Sequence, residues 1–140
     1  MAQETIVFTP GRELPPDTLE LAQRMKPAGF TLEVMPAAAS TADIAAALRQ
    51  AEYLLGFVRF LPDDAYTDAK RLKLVQVLSA GYDRVNIAGA RKARVPICSN
   101  GGANSVAVAE HTIMLMLAVY RKLVAFHQNV AGGMRAFRAP

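Results

Sequence analysis

Residues 99–130 read SNGGANSVAVAEHTIMLMLAVYRKLVAFHQNV and form the longest apolar-rich stretch of the chain. A glycine-rich turn opens the stretch, and Asn104 and Ser105 follow it as candidate helix caps. The pattern predicts one long helix over residues 104–131. Because residues 112–119 are apolar on nearly every side, this helix needs apolar cover on more than one face.

Composition and charge are those of an ordinary globular protein. The chain has 140 residues, of which 52% are hydrophobic and 20% charged, with a formal net charge of +4. The one basic cluster contains Arg84, Arg91, Lys92 and Arg94. It could attract an anionic substrate, but we interpret it as a solvated helix face. No aromatic residues alternate with these charges, so we expect no nucleic-acid partner.

The residues that commonly bind metals are few. Cys98 is the single cysteine, which excludes an intrachain disulfide and a cysteine-rich metal site and favours a reducing compartment. His111 and His127 are sixteen positions apart on the predicted helix, roughly 24 Å at about 1.5 Å per residue. One metal ion cannot bridge them, so we expect no metal site within a chain.

No membrane or export segment is evident. The N-terminal residues, MAQETIVFTP, lack a basic region followed by a long apolar run. The apolar core of the long helix is shorter than the roughly 20 residues that span a bilayer. We therefore expect a soluble cytoplasmic protein with no membrane partner.

Strand-like and helix-like segments alternate along residues 5–98. Short β-branched or apolar runs predict strands at about residues 5–9, 30–35, 51–57, 73–78 and 95–98. Helices are predicted at about 15–26, 40–48, 62–69 and 87–93, the first of them burying Leu21, Ala22 and Met25. This alternation favours an α/β fold, a flavodoxin-like three-layer sandwich with a parallel five-stranded sheet of order 2-1-3-4-5.

Ligands of such sheets bind where the strands end at their carboxyl side, which selects three loops, residues 57–60, 79–83 and 100–105. In the second loop, Gly81 allows close approach of a ligand to backbone N–H groups that suit a small carboxylate. A simple tight turn would need the same glycine. The third loop could bind an anion, or could be a flexible approach to the helix capped by Asn104. It matches neither a P-loop nor the dinucleotide fingerprint G-x-G-x-x-G.

Two runs of sequence, taken together, indicate a particular protein family more specifically than either loop does alone. They are LKLVQVLSAGYDRVNI and ARKARVPICSNGGANSVAVAEHTIMLMLAVYRK, within residues 72–122. In this order they resemble the D-isomer-specific 2-hydroxyacid dehydrogenases, which include formate and phosphoglycerate dehydrogenases. The chain is therefore identified as a member of that family, and the looser pattern before residue 72 is compatible with the family's substrate-binding domain.

The resemblance implies roles for particular residues. The turn that matches Ala80, Gly81 and Tyr82 offers backbone N–H groups to the substrate carboxylate in this family. The loop from Phe57 to Phe60 would line the substrate pocket. Asn104 matches the asparagine that binds substrate in formate dehydrogenases. The resemblance also implies that Ser105 and Val108 lie beside the nicotinamide of NAD or NADP.

The sequence departs from the family pattern after the long helix. The family continues into a strand with G-x-G-x-x-G and then supplies a catalytic Arg, a Glu or Asp, and a His, none of which follows here. We expect an N-terminal portion of a dehydrogenase, truncated in its gene or by proteolysis and inactive alone, with no cofactor bound. Its expected parts are a substrate-binding domain at residues 1–103, a helix at 104–131 that would lead to the cofactor domain, and a tail at 132–140.

One other interpretation of the function remains. The chain could be a stand-alone flavodoxin-like module that binds a small anion or a protein partner. A phosphorylated receiver domain is set aside, because Thr9-Pro10 and Gly56-Phe57 stand where that class needs acidic residues.

Since the helix at 104–131 would otherwise leave apolar side chains in water, we expect a homodimer formed through it.

Overall fold

The computed structural model describes residues 3–134 and divides the chain into two compact units at the boundary between Gly101 and Gly102. The first unit alternates strands and helices from beginning to end. Its elements are β1 (Glu4–Thr9), α1 (Pro16–Met25), β2 (Phe30–Val34), α2 (Thr41–Leu48), β3 (Tyr53–Gly56), α3 (Asp63–Thr67), β4 (Leu74–Val77), α4 (Ile87–Ala93) and β5 (Ile97–Cys98).

The five strands form one sheet in the order β2-β1-β3-β4-β5, and all neighbouring pairs are parallel. Both the predicted fold class and the predicted strand order are confirmed. Val7, Leu54 and Val75 have no solvent-exposed surface and lie in the three central strands. The core continues into the helices through Leu48 of α2 and Tyr66 of α3. Parallel sheets are buried in this way because their crossover helices cover them.

Local signals in the sequence account for the helix ends. At α2, the Ser40 hydroxyl accepts a bond from the Asp43 N–H, while the Asp43 carboxylate accepts bonds from the Ser40 N–H and hydroxyl. This reciprocal capping box satisfies N–H groups that have no partner inside the helix. α4 ends instead at Arg94, which adopts the left-handed conformation with φ 58°.

The predicted burial of α1 is wrong. Leu21 and Met25 are 42% and 72% exposed, Ala22 is half-buried, and no residue of the helix is buried. The apolar spacing correctly predicted a helix but not its environment. Because β2 is an edge strand, the helix that joins β1 to β2 has less sheet surface available to cover it.

The second unit contains α5 (Ser105–Tyr120) and α6 (Leu123–Ala131). The prediction of one continuous helix over 104–131 is wrong, because Lys122 adopts a left-handed conformation with φ 48° and interrupts the helical hydrogen-bond ladder. Its N–H bonds to the Val119 carbonyl three residues back instead of four. No glycine or proline marks this break in the sequence. Within residues 3–134, no helix is long and apolar enough to cross a bilayer.

Candidate functional site

A cavity of about 390 Å³ opens at the carboxyl ends of β1, β3 and β4 in the first unit. This volume lies at the small end of the roughly 300–1,000 Å³ typical of small-molecule sites. We call it the strand-end cavity. Its lining residues are Gly11, Phe57, Val58, Arg59, Val77, Ser79, Gly81, Tyr82, Asp83, Arg84 and Val85.

One wall of the strand-end cavity depends on a close approach between β1 and β3. Gly56 has φ +141°, and a Cβ atom there would lie 2.1 Å from the Thr9 carbonyl oxygen. The next residue, Phe57, donates its N–H to the same carbonyl at 2.9 Å. A Cβ on Gly11 would lie 2.9 Å from the Phe57 Cβ. Glycine at these two positions therefore holds the half-exposed Phe57 ring at the cavity wall.

The opposite wall is the turn that follows β4. The Ser79 hydroxyl donates to the Gly81 carbonyl at 2.7 Å, and the Ser79 carbonyl accepts from the Asn100 N–H at 3.1 Å. These bonds fix the turn through its oxygen atoms. The backbone N–H groups of residues 79–84 donate no hydrogen bond to any described residue. Six consecutive unpaired donors beside a cavity are suited to an anion.

The charged side chains around the strand-end cavity are Arg59, Arg84 and Asp83. Within residues 3–134 neither arginine forms a salt bridge. Arg59 donates a long bond of 3.4 Å to the Ala37 carbonyl. In the sequence, Arg59 lies within the predicted 57–60 loop, and the basic cluster around Arg84 favours a solvated helix face. The available signal for Arg84 was its position directly after the glycine turn.

The structure brings together some of the predicted substrate residues. Phe57, Gly81 and Tyr82 line the strand-end cavity, whereas Phe60, which is 62% exposed, and the half-buried Ala80 are not among its lining residues. Tyr82 also lines a neighbouring cavity of about 380 Å³.

The other predicted residues belong to the second unit. Asn104 is the N-cap of α5, and its side chain makes no capping bond, in contrast to the predicted cap. Ser105 donates its hydroxyl to the Gly102 carbonyl at 2.8 Å, and Val108, one turn later, is exposed. The roles assigned to these three residues stay predictions.

A separate charged cluster lies at the amino ends of β1, β3 and β4. The carboxylate of Glu4 accepts bonds from Lys73 and, at 2.8 Å, from the Tyr53 hydroxyl. The bond from Lys73, followed by that from Tyr53, lowers the pKa of Glu4, and the same contact with Glu4 raises the pKa of both partners. This cluster is at the edge of the sheet opposite the strand-end cavity, so we assign it a structural role.

The described part of the chain contains no group of three or more His, Cys, Asp or Glu side chains that could hold a metal ion.

The Tyr66 hydroxyl is buried and has no hydrogen-bond partner among the described residues. Burial raises the pKa of Tyr66 to about 12. It is therefore neutral at physiological pH.

Comparison with known proteins agrees with this arrangement. The family model described as "D-isomer specific 2-hydroxyacid dehydrogenase, catalytic domain" matches residues 6–136. A formate dehydrogenase of Chaetomium thermophilum is 32% identical over 76 residues, 53% of this chain and 20% of that protein. A D-3-phosphoglycerate dehydrogenase of Archaeoglobus fulgidus is 34% identical over 65 residues, 46% of this chain and 12% of that protein.

Solved structures share the fold. The NAD-dependent formate dehydrogenase of Staphylococcus aureus, determined in complex with NAD, superposes with a TM-score of 0.67 at 18% identity. The superposition covers 96% of this chain and 43% of that enzyme. The chain thus spans about two fifths of that structure's length, and its matches cover a fifth or less of the two curated relatives. From the family match over most of its length, the chain belongs to the D-isomer specific 2-hydroxyacid dehydrogenase family and corresponds to its catalytic domain.

Proposed function

We propose that this chain supplies the substrate-binding part of an NAD(P)-dependent D-2-hydroxyacid dehydrogenase, and that its β4 turn binds the carboxylate of a small 2-oxo or 2-hydroxy acid. The observation that carries this proposal is the row of unpaired N–H groups at residues 79–84 beside the strand-end cavity. Backbone donors at fixed positions recognise a carboxylate without needing to reorganise.

The roles of the lining residues follow from their chemistry. Gly81 has no Cβ to obstruct a ligand, so a carboxylate can reach the N–H groups of Ala80, Gly81 and Tyr82. Phe57 and Tyr82 would exclude water from one side of the bound acid and so strengthen its polar contacts. The turn would thus orient the acid so that its C2 atom is presented for reaction.

A nicotinamide cofactor would supply the hydride acceptor or donor when bound. Ser105 and Val108 lie three residues apart, on one face of the first turn of α5. Val108 is 53% exposed, and an exposed apolar side chain beside a hydroxyl fits one wall of a nicotinamide site. The substrate-binding domain at 1–103, the connecting segment at 104–131 and the tail at 132–140 are part of this proposal, as is the cytoplasmic location. Residues 135–140 lie outside the described residues.

Hydride transfer itself needs residues that these 140 do not include, namely the G-x-G-x-x-G turn and the Arg, Glu and His that the resemblance implies. We expect that the 140-residue polypeptide alone does not oxidise NADH in the presence of glyoxylate or hydroxypyruvate. Steady NADH oxidation by the pure polypeptide would contradict this expectation.

Two substitutions at Gly81 test carboxylate binding. Gly81→Pro removes one N–H that makes no bond in the fold, while Gly81→Ala keeps it and adds a methyl group whose nearest neighbour is the Asp83 side-chain carboxylate at 3.1 Å. In ¹H–¹⁵N NMR titrations with 2-oxopentanoate, we expect amide shifts at residues 79–84. Loss of a charge-assisted hydrogen bond should weaken binding about tenfold in Gly81→Pro, whereas Gly81→Ala, which keeps the N–H and only narrows the approach to it, should weaken binding by a smaller factor.

The titration also distinguishes the two kinds of function. Thermal unfolding of both variants first establishes that the fold is intact. Amide shifts elsewhere in the chain, or equal affinities of the two variants, would contradict the proposed site. Binding of small carboxylates with no NAD binding would favour the alternative, a stand-alone anion-binding module.

We also propose that the chain forms a homodimer through α5 and α6. An apolar groove on these helices is lined by Ile113, Met114, Leu117 and Leu123, with Glu110 near one end and Arg121 near the other. Antiparallel packing of two copies would cover both grooves and bring Glu110 near the partner's Arg121. This charge complementarity favours a second copy as the occupant.

A further inference from the structure

The strand-end cavity is lined by two guanidinium groups in addition to the backbone donors of the β4 turn. Its lining contains two arginines, Arg59 and Arg84, and one acid, Asp83, which gives a formal charge of +1. Arg59 comes from the loop after β3 and Arg84 from the end of the β4 turn, so the two charges approach from neighbouring strands.

The arginine charges are not neutralised within the described structure. The salt bridges there join Arg49 to Asp68, Arg71 to Glu52, Lys73 to Glu4 and Lys92 to Asp63. None of them includes Arg59, Arg84 or Asp83. The Asp83 carboxylate instead lies beside the glycine of the turn, 3.1 Å from the place of a Gly81 Cβ.

The cavity also has space for a second polar group. A carboxylate at the β4 turn would accept bonds from backbone N–H groups, and both guanidinium groups could then bind a second anion. The volume of about 390 Å³ is far more than a one- or two-carbon acid fills. A guanidinium group pairs well with either a carboxylate or a phosphate, because its planar donors match two oxygens at once.

We propose that the site selects 2-oxo or 2-hydroxy acids that carry a second anionic group, a carboxylate or a phosphate, which Arg59 and Arg84 bind. This rests on the proposed function, because the first carboxylate must occupy the β4 turn. Arg59 and Arg84 are then specificity-determining residues, and acids with one charge bind through the turn alone.

The test compares ligands that differ only in the second anion. 2-Oxoglutarate and 2-oxopentanoate have the same chain length, and 3-phospho-D-glycerate and D-glycerate form the corresponding phosphate pair. Each is titrated into the 140-residue protein at constant ionic strength, with NMR shifts and calorimetry as readouts. We expect the dianion of at least one pair to bind about tenfold more tightly than its partner. The ligand pair with the larger ratio of affinities shows whether the second anionic group is a carboxylate or a phosphate.

Substitutions assign the preference to the two arginines. Arg59→Gln and Arg84→Gln should each weaken dianion binding about three- to tenfold more than they weaken 2-oxopentanoate binding. Arg24→Gln, on exposed α1, makes the same charge change outside the cavity and should alter neither. Equal affinities within both ligand pairs would overturn this inference and leave carboxylate binding intact. If no acid binds at all, the proposed function fails first, and this inference fails with it.

Discussion

Gly56 is the residue whose side-chain size matters most to the site. A Cβ there would lie 2.1 Å from a backbone oxygen of β1 at a φ of +141°. Gly29 also has a positive φ, of +87°, but nothing lies within 4 Å of its Cβ position. We expect Gly29→Ala to cost about 1 kcal/mol in backbone strain. Gly56→Ala should cost about 3 kcal/mol, because strain and a backbone clash act together.

Urea unfolding of the two variants, followed by circular dichroism, measures both costs. The difference between them reports the clash with β1 together with the additional strain of the φ of +141° at Gly56. The position of Phe57 at the wall of the strand-end cavity should also change in Gly56→Ala, because Phe57 follows Gly56 and donates its N–H to the same Thr9 carbonyl. Similar stabilities of the two variants would show that β1 and β3 can separate without penalty.

At the residue scale, the sequence predicts only part of the site. Gly81 was predicted because a glycine directly after an apolar strand is a local signal. Gly56 was not, because the atom it approaches belongs to Thr9, and only the sheet brings the two residues together. Arg59, within the predicted 57–60 loop, and Arg84, within the basic cluster, were not singled out, because an arginine in a loop is usually solvated and its neighbours depend on how adjacent strands end.

At the scale of elements, α4 ends in a Schellman motif without the usual glycine. The Val95 N–H bonds to the Ala90 carbonyl at 2.9 Å and the Arg94 N–H bonds to the Arg91 carbonyl at 3.1 Å. Arg94 is in the left-handed region, where a residue with a Cβ costs roughly 1–2 kcal/mol. We expect Arg94→Gly to raise the free energy of unfolding by about 1 kcal/mol.

Arg94→Ala is the matched control, because it removes the same charge and keeps the Cβ. In chemical denaturation, the free energy of unfolding should therefore rise in Arg94→Gly and stay unchanged in Arg94→Ala. An equal gain in both would mean that the charge of Arg94, and not its backbone conformation, limits stability.

The capping box of α2 gives a pH-dependent prediction. Hydrogen bonds from the Ser40 side chain and backbone hold the pKa of Asp43 below its ordinary value of 3.8. A carboxyl whose pKa is lower in the folded state stabilises the protein above its unfolded pKa, and this contribution is lost as the pH falls through the folded pKa. Ser40→Ala should destabilise the protein by about 1 kcal/mol at neutral pH and raise the pKa of Asp43.

Carboxyl ¹³C NMR titration of Asp43, with unfolding measured between pH 7 and pH 2, checks both parts. The stability difference between the parent and Ser40→Ala should narrow below about pH 3.8. A constant difference across this range, with an unchanged titration of Asp43, would contradict the role of the capping box.

Helix starts and strand positions were predictable because each depends on a few adjacent residues, as Ser40 and Asp43 illustrate. The break after α5 was not, since Arg121 and Lys122 favour helix and Lys122 nevertheless adopts a left-handed conformation. The exposure of α1 was also missed, because spacing predicts which residues share a face but not whether another element covers it.

At the scale of the whole molecule, the proposed dimer follows from apolar side chains that are left in water. In α5, Ile113, Met114 and Leu117 are 59%, 51% and 58% exposed. Burying a large apolar side chain stabilises a complex by roughly 1.5–3 kcal/mol of free energy, so burying several of them in an interface strongly favours association. We expect a dimer at micromolar concentration by light scattering with size exclusion.

Leu117→Glu tests this assignment, because it introduces a charge at the centre of the α5–α6 groove and should convert the dimer to a monomer. Leu21→Glu makes the same change at an exposed apolar position on α1 and should leave the dimer intact. High salt should weaken the dimer only modestly, since apolar burial dominates and the contact between Glu110 and the partner's Arg121 is screened. If the parent chain is a monodisperse monomer at micromolar concentration, α5 and α6 are covered by something other than a second copy, and the homodimer proposal is wrong.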